Sequence, residues 1–449
     1  MTIHSDWARL LNDECPDAFH ERIPPEVRFD VGVIDGHLQL MSLNPHFRSW
    51  EQFLLAVFVR PIQRLFEAGA PVVVLCFDAY DQVPAYKSMT QQKRSARVGP
   101  CVTFHAEEAL PEEIPEAAME HLMNRSFKLK VVQLALAQVP RMLQSTLASV
   151  PERRLLLDYK STVEYSSSTG MVPRRIDDLV PMGESDVKYV RYVERYGNAL
   201  VHAVDGDYMA IALLYYAGVG VRDDNRIFVF RQHSTLAAEA PPPEAPATKR
   251  KRACMKMGTK APPKKTKCWV DMQLLFATVA ECMRQSGVSA DLDERITVRA
   301  AVLLMLCAGT DFSRPMPLLG PKRLWEHLPL VAETLARAFV PLEGPPAFGT
   351  LCDAVLGTIY RAVFSNHVPA SIPDRLGDVL DHLKRHSRLA EFTRSRLPSE
   401  AQVRVTLQNV DWVMEYWTAI NRTVPSPLDG SRGFARCPTS QRITFADCV

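Results

Sequence analysis

The chain of 449 residues is long enough for one large domain with insertions or for two domains. Hydrophobic residues make up 47% of it and charged residues 23%, as in ordinary globular proteins, and its longest apolar runs are too short to span a bilayer, so no membrane partner is expected. The formal net charge is only +2, which excludes a strongly basic surface over the whole chain. Ten scattered cysteines without a CxxC pair favour a reduced environment, without disulfides or structural zinc.

The first half of the chain alternates short apolar runs with stretches of helical periodicity. A short amphipathic helix is predicted over residues 7–12, a strand over Val31 to Ile34, a helix over Trp50 to Ala68 and a strand over Pro71 to Phe77. The pattern then recurs, with strands at 155–157, 199–204 and 227–230 and helices at 186–195 and 208–216. This alternation predicts an α/β fold with a mostly parallel central sheet flanked by helices.

Three further segments differ from this pattern. Residues 105–150 begin acidic and become basic and apolar, which predicts two helices inserted between strands, and residues 236–268 are rich in Pro and Lys, which predicts disorder. From about residue 270 to about 420 the chain is mainly helical by its periodicity, and the last thirty or so residues are predicted to be irregular. The predicted organisation is a core in three parts (1–104, 151–235 and 269–330), a helical insertion (105–150), a disordered basic linker (236–268) and a helical C-terminal extension (331–449).

Acidic residues stand at five predicted strand ends or sharp turns of this core. Carboxyl ends of parallel strands meet at one edge of a sheet, where seven carboxylates would repel one another unless one or two divalent cations lay between them. Mg²⁺ prefers a few carboxylates together with water. Taken singly, each aspartate is also explained as a turn residue or as the cap of the next helix. The five motifs are Ile34-Asp35-Gly36, Cys76-Phe77-Asp78, Gly183-Glu184-Ser185-Asp186, Val204-Asp205-Gly206-Asp207 and Ala308-Gly309-Thr310-Asp311.

The order and spacing of these motifs resemble the flap endonuclease/XPG superfamily, with features shared with the Xrn-type 5′–3′ exoribonucleases. Lys87 and Arg94 match that family's basic pair, with the same seven-residue spacing, and Asp186 replaces the second Glu of its Glu-x-Glu pair. Downstream, Leu319 to Arg323 resembles the turn of the family's helix–two-turn–helix, which grips the duplex backbone. The resemblance covers residues 7–98 and 180–330.

This resemblance implies a PIN-like fold and a nuclease that acts on branched or 5′-ended DNA. Lys87 and Arg94 would donate to the scissile phosphate as negative charge develops on it, and Gly320, Lys322 and Arg323 would contact nucleic acid. The Glu-x-Asp pair is also similar to that of flap-endonuclease-like proteins of large DNA viruses, which implies a role in replication, repair or recombination. Two Mg²⁺ ions, for which Mn²⁺ can substitute, would be held by Asp35, Asp78, Glu184, Asp186, Asp205, Asp207 and Asp311.

The chain also departs from the family pattern. It lacks the initial Met-Gly-Ile, the first glycine of the Gly-x-Gly turn is Leu318, the insertion in the place of the family's arch starts acidic, and no clear sliding-clamp peptide is present. An RNA-cleaving enzyme, like the Xrn or host-shutoff relatives, and a nuclease-dead nucleic-acid-binding scaffold therefore stay open as alternatives. Basic clusters at 249–252 and 264–267 resemble a bipartite nuclear-import signal, which in a viral protein would act in the host. Contacts with phosphates or a solvated linker would explain these clusters as well. For His37 a turn or core role is expected.

Overall fold

The computed structural model describes most of the chain, and the elements below are those of the described residues. Four predicted site residues (Lys87, Arg94, Asp205 and Asp311) and the basic cluster at 249–252 lie outside them. The described residues are 5–43, 46–79, 103–179, 183–203, 206–218, 224–234, 265–309, 315–340, 346–386, 388–418, 434–436 and 443–445.

A nine-stranded mixed sheet forms the centre of the structure, in the order β1-β9-β8-β7-β2-β3-β4-β5-β6. Its five middle strands are parallel, namely β8, β7, β2, β3 and β4. The outer strands on both sides pair antiparallel. The α/β class is therefore confirmed, whereas the mostly parallel character holds for the middle of the sheet alone. The strands are β1 (Phe19–His20), β2 (Val31–Asp35), β3 (Val72–Cys76), β4 (Arg154–Asp158), β5 (Thr162–Ser166), β6 (Arg174–Ile176), β7 (Ala199–His202), β8 (Ile227–Ser234) and β9 (Lys265–Asp271).

Strands β2 and β3 are buried on both faces. Val33 and Val74 contribute to the core on one side of the sheet, while Ile34 and Leu75 contribute to the core on the other side. Burial on both faces explains why these strands read as continuous apolar runs instead of alternating ones. Their register sets Asp35 opposite Cys76, so both strands end at the same level of the sheet.

The predicted helix from Trp50 to Ala68 is confirmed, with an irregular turn in its middle. It consists of a first α-helical part (Trp50–Leu54), a π-helical turn (Leu55–Val59) and a second α-helical part (Arg60–Glu67). Pro61 has no N–H to donate to the helix ladder, and beside it the Arg60 N–H reaches back to the Leu55 carbonyl. The π turn thus accompanies the proline. Before it lie α1 (Ser5–Glu14) and α2 (Gly36–Leu40), and we number the two α-helical parts α3 and α4.

Residues 105–150 form three helices instead of the predicted two, α5 (Ala118–Met123), α6 (Arg125–Met142) and α7 (Gln144–Ala148). The extra break falls at Asn124, whose Oδ1 accepts the N–H groups of Ser126 and Phe127 and so begins α6. Helix α6 buries Phe127 and Val131 in the core that also holds Leu75 of β3. It is therefore part of the crossover that joins the parallel strands β3 and β4, and an arch-like role for it stays a prediction.

The second half of the chain is mainly helical, as predicted. None of the described helices is both long enough and apolar enough to cross a membrane. Short 3-10 turns lie at Pro16–Ala18, Ser167–Thr169 and Leu328–Leu330, and a second π turn lies at Leu351–Gly357. The helices are α8 (Ser185–Tyr196), α9 (Asp207–Tyr216), α10 (Met272–Gln285), α11 (Glu294–Cys307), α12 (Pro321–Glu326), α13 (Ala332–Arg337), α14 (Phe348–Thr350), α15 (Thr358–Val363), α16 (Leu376–Arg385), α17 (Glu391–Arg394) and α18 (Glu400–Thr418).

Two predictions about irregular segments were wrong in part. The last residues of the predicted linker belong to β9, which begins at Lys265 and pairs antiparallel with β8. Near the end of the chain, β10 (Phe434–Arg436) and β11 (Ile443–Phe445) form a small antiparallel pair where irregular structure was expected. The described cysteines are free thiols, as expected, and Cys76 and Cys307 are buried.

Gly36 is required where the chain turns from β2 into α2. A Cβ at this position would lie 2.5 Å from the Phe77 ring and 2.8 Å from the Cys76 carbonyl oxygen, and that oxygen belongs to the neighbouring strand. We therefore expect Gly36→Ala to lower the free energy of unfolding by about 1–3 kcal/mol in urea denaturation. Gly349→Ala is the matched control, because no atom lies within 4 Å of the Cβ it would add. Equal stabilities of the two variants would contradict the crowding at Gly36.

Candidate carboxylate site

The described carboxylates lie where the carboxyl ends of the parallel strands meet the start of two helices. Asp35 is the last residue of β2, and Asp78 follows β3 by two residues. Glu184 and Asp186 flank the first residue of α8, and Asp207 is the first residue of α9. Asp186 is half-buried, and the other four are among the most buried charged residues that the structure describes, with Glu184 at 0% and Asp78 at 7% exposure. The structure thus places all five at one edge of the sheet.

Three of these carboxylates converge on the hydroxyl of Ser185. Its Oγ lies 2.9 Å from Asp78 Oδ1, 3.2 Å from Asp186 Oδ1 and 3.3 Å from Asp35 Oδ1. A hydroxyl carries one proton and can donate it to one acceptor at a time. The three carboxylates therefore share a donor that neutralises none of their charge.

Backbone N–H groups at helix starts hold two of these carboxylates in place. Asp35 Oδ1 accepts the N–H of Leu38 at 3.1 Å, and Asp78 Oδ1 accepts the N–H of Ser185 at 2.9 Å. Helix N-termini carry a partial positive charge, so these positions favour the ionised carboxylate. Asp35 is thus a helix cap, as its alternative explanation supposed, and the same side chain also takes part in the convergence.

His37 fixes the backbone next to Asp78. Its Nδ1 accepts the N–H of Asp78 at 2.9 Å, which requires Nδ1 to be unprotonated. The imidazole ring also packs edge-on against Phe77, with ring centroids 5.9 Å apart. The expected turn or core role of His37 is confirmed, and it connects the ends of β2 and β3.

The negative charge of the site reaches the first turn of α9. Burial raises the pKa of Tyr208 well above its ordinary value, and the carboxylates of Asp35 and Asp186 raise it further. The Tyr189 hydroxyl of α8 donates to the Tyr208 carbonyl at 2.8 Å, and the two rings stack with centroids 5.3 Å apart. Helices α8 and α9, which carry Asp186 and Asp207, are therefore joined directly behind the carboxylates.

A buried ion-pair network beside the site was missed by the sequence analysis. Lys188 Nζ lies 3.1 Å from Asp158 Oδ1, and it also donates to the carbonyls of Phe77 at 2.7 Å and Tyr159 at 2.8 Å. Arg191 pairs with the same Asp158 carboxylate. Burial alone would raise the pKa of Asp158, but Lys188 and Arg191 outweigh it and hold this pKa below its ordinary value. Lys188 thus fixes the segment that leads into Asp78.

Two sequence features could have revealed this network. Asp158 ends a strand in the same way as Asp35, directly after Leu155-Leu156-Leu157. Lys188 and Arg191 stand three residues apart among the apolar residues of α8, a position where a buried cation needs a carboxylate partner.

The three predicted nucleic-acid contacts lie together at the start of α12. Gly320 precedes its first turn, Lys322 is exposed and pairs with Glu326 at 3.6 Å, and Arg323 Nη1 donates to the Leu318 carbonyl at 2.9 Å. Leu318 has a φ of 64°, a left-handed conformation that glycine adopts more readily than leucine, so this turn is held at a cost in backbone strain.

Carboxylate oxygens are ligands of the kind that Mg²⁺ prefers, and three carboxylates at the sheet edge surround one hydroxyl. Within the described residues alone, however, no group of three or more His, Cys, Asp or Glu side chains is arranged to hold a metal ion. Asp205 and Asp311 belong to the predicted ligand set and lie outside those residues, so the Mg²⁺ site stays a prediction.

No protein-family model matches this chain, and no curated protein sequence matches it.

Ser185→Ala tests whether the three carboxylates repel one another. The variant removes a buried donor, so in a chelator we expect its free energy of unfolding to fall by about 1–3 kcal/mol. Added Mg²⁺ should restore most of this loss, because a cation between the carboxylates removes the same repulsion. The control is Ser166→Ala, since the equally buried Ser166 hydroxyl bonds Ser168 at 2.9 Å. The same Mg²⁺ response in both variants would contradict repulsion among the three carboxylates.

Lys188→Met tests the buried network at Asp158. It removes one of two cations from a buried carboxylate, and we expect the free energy of unfolding at pH 7 to fall by about 3–5 kcal/mol. Because the Asp158 pKa is lowered from 3.8, the stability that the network provides is present above that pH and is lost as the pH falls through the lowered pKa. The difference between wild type and variant should therefore shrink in acid.

Urea denaturation at several pH values measures this difference, with Arg195→Gln as the control on the same helix. The Arg195 pair with Asp178 is exposed, so its loss should leave the stability almost unchanged. A difference between wild type and Lys188→Met that stays constant down to strong acid would show that the hydrogen bonds of Lys188 to the Phe77 and Tyr159 carbonyls, and not its ion pair with Asp158, are responsible.

Proposed function

We propose that this chain is a Mg²⁺-dependent, structure-specific 5′ nuclease that hydrolyses phosphodiesters of branched or 5′-ended DNA. The observation that carries the proposal is the convergence of Asp35, Asp78 and Asp186 on the Ser185 hydroxyl. This convergence lies beyond the carboxyl ends of parallel strands, where open α/β sheets bind their ligands. A PIN-like, flap-endonuclease-like version of the α/β fold is part of the same proposal, supported by the family order of the motifs along the chain.

In this proposal the protein provides a preformed set of oxygen ligands. Asp35, Asp78, Glu184, Asp186, Asp205, Asp207 and Asp311 would hold the ions. Two bound Mg²⁺ ions supply the charge that lowers the pKa of a water and stabilises a departing 3′ oxygen. The Leu38 and Ser185 N–H groups fix Asp35 and Asp78 before any ion binds, which reduces the cost of ordering the site.

The remaining roles concern the phosphate. Lys87 and Arg94 would donate to the oxygens of the scissile phosphate, where negative charge increases during hydrolysis. At the start of α12, Lys322 extends into solvent with 84% of its side chain exposed, so its ammonium can reach a backbone phosphate. Trp325 of the same helix packs against Trp7, with ring centroids 6.1 Å apart, and Trp7 and Gly206 line the same small cavity.

Asp78→Asn tests the proposal with little disturbance of the fold. The Asn side chain keeps an oxygen that can accept the Ser185 N–H and loses the negative charge. We expect cleavage of a labelled 5′-flap DNA in Mg²⁺ to fall about 100-fold or more, because a carboxylate that holds the ions has been neutralised. Asp30→Asn is the matched control: Asp30 lies at the opposite end of β2, where its Oδ2 accepts the Asn198 N–H at 2.9 Å. It should cut as wild type does.

The same substrate made of ribonucleotides separates the alternatives. Cleavage of the RNA flap but not of the DNA flap would replace the proposal with an Xrn-like or host-shutoff-like ribonuclease. If wild type, Asp30→Asn and Asp78→Asn all left both substrates intact in Mg²⁺ and in Mn²⁺, the nuclease proposal would be abandoned in favour of a nucleic-acid-binding scaffold.

A further inference from the structure

The C-terminal helical part carries a local excess of positive charge that the net charge conceals. Residues 382–386 and 388–396, here called the basic tract, run from the end of α16 through α17. The tract contains one acidic residue, Glu391, against five cationic ones, which are Lys384, Arg385, Arg388, Arg394 and Arg396. Arg385, Arg388 and Arg396 are exposed.

The five cations of the basic tract have no carboxylate partner within the described chain. Arg385 Nε donates to the Asp381 carbonyl, and the Arg396 guanidinium lies over the Phe392 ring, but none of the five forms an ion pair there. Exposed positive charges without partners favour a partner that brings negative charge. Some arginines elsewhere, such as Arg195, Arg284 and Arg337, do pair with Asp or Glu.

An aromatic ring stands in the middle of these charges. Phe392 is 71% exposed, more than any other large hydrophobic side chain in the described residues. The Arg396 guanidinium lies 5.3 Å from its centroid, and the remaining ring surface faces solvent. An exposed aromatic ring beside unpaired cations offers a flat apolar surface for stacking and positive charge for phosphates.

The backbone beneath the tract is anchored. Leu383, Leu389 and Leu397 are buried in the core, and the Thr393 N–H donates to the Ala390 carbonyl at 2.9 Å. The charged and aromatic side chains therefore project from a fixed scaffold, so little backbone entropy is lost when a partner binds.

We propose that the basic tract is a binding surface for single-stranded nucleic acid, in which Phe392 stacks on a base while Arg385, Arg388 and Arg396 contact successive phosphates. A single strand fits better than a duplex, because a base must be unstacked to lie on the ring. The choice of nucleic acid as the partner rests on the proposed function, but binding to the tract does not require cleavage.

The test is binding of a labelled oligothymidylate of about 20 nucleotides to the full chain in EDTA, measured by fluorescence anisotropy at several salt concentrations. Phe392→Ala should raise the Kd about tenfold. The triple variant Arg385→Gln/Arg388→Gln/Arg396→Gln should raise it about tenfold or more and lower the slope of log K against log salt by about 2.

Two controls match these changes in kind. Leu330→Ala truncates another exposed apolar side chain, at 59% exposure, and Arg195→Gln/Arg284→Gln/Arg337→Gln removes the same total charge from paired arginines. Neither control should change the Kd by more than about twofold, because neither alters the tract.

Three results would overturn the inference. One is unchanged binding in both tract variants, and another is a loss in the arginine variant without a loss in Phe392→Ala, since stacking on a single strand would then be absent. The third is binding of phosphatidylserine vesicles in place of the oligonucleotide, with the same loss in the tract variants, which would assign the surface to anionic lipid. Cleavage of the 5′-flap DNA in Mg²⁺ by the tract variants is measured separately, so the failure of this inference and that of the nuclease proposal can be told apart.

Discussion

Repulsion among carboxylates at one edge of the sheet is the constraint on which the centre of this structure depends. The parallel pairing of β2 with β3 brings the ends of both strands to the same level. A register shift of either strand by one residue would move Asp35 or Asp78 away from that level. Helix N–H groups and one serine hydroxyl hold the carboxylates at that level. These donors orient the carboxylates through hydrogen bonds and carry no full positive charge of their own.

The surrounding structure resists that repulsion with contacts that lie just outside the carboxylates. Lys188 bonds the Phe77 carbonyl, and His37 accepts the Asp78 N–H, so the segment between β3 and Asp78 is held from two directions. Neither group donates to the Asp78 carboxylate in these bonds. Lys188 and Arg191 pair instead with Asp158, which lies beside this cluster of carboxylates.

Local patterns predicted the parallel middle of the sheet well, since apolar runs that end in Asp identify buried strands and their carboxyl ends. They could not predict β9, because its lysine-rich start resembles a linker and becomes a strand only through pairing with β8. Nor could local patterns distinguish the role of Asp158 from that of Asp35, because both residues end a strand. The difference lies in Lys188 and Arg191, which are thirty residues or more from Asp158 in sequence and meet it only in the folded chain.

The near-zero net charge of the chain is the sum of surfaces of opposite sign, and their separation constrains how a polyanion could approach. Residues 107–116 carry five exposed glutamates on the chain that leads into α5, and they would repel phosphates, whereas the basic tract near α17 would attract them. In the proposed nuclease, the carboxylate site itself would repel phosphates until cations bind. Because Coulomb attraction falls off over about 10 Å at moderate ionic strength, a nucleic acid must be held by local cations such as those of the basic tract and not by the protein as a whole. In the proposed nuclease, binding and hydrolysis would therefore depend on separate parts of the chain: binding on fixed positive side chains, and hydrolysis on carboxylates that gain positive charge only with their metal.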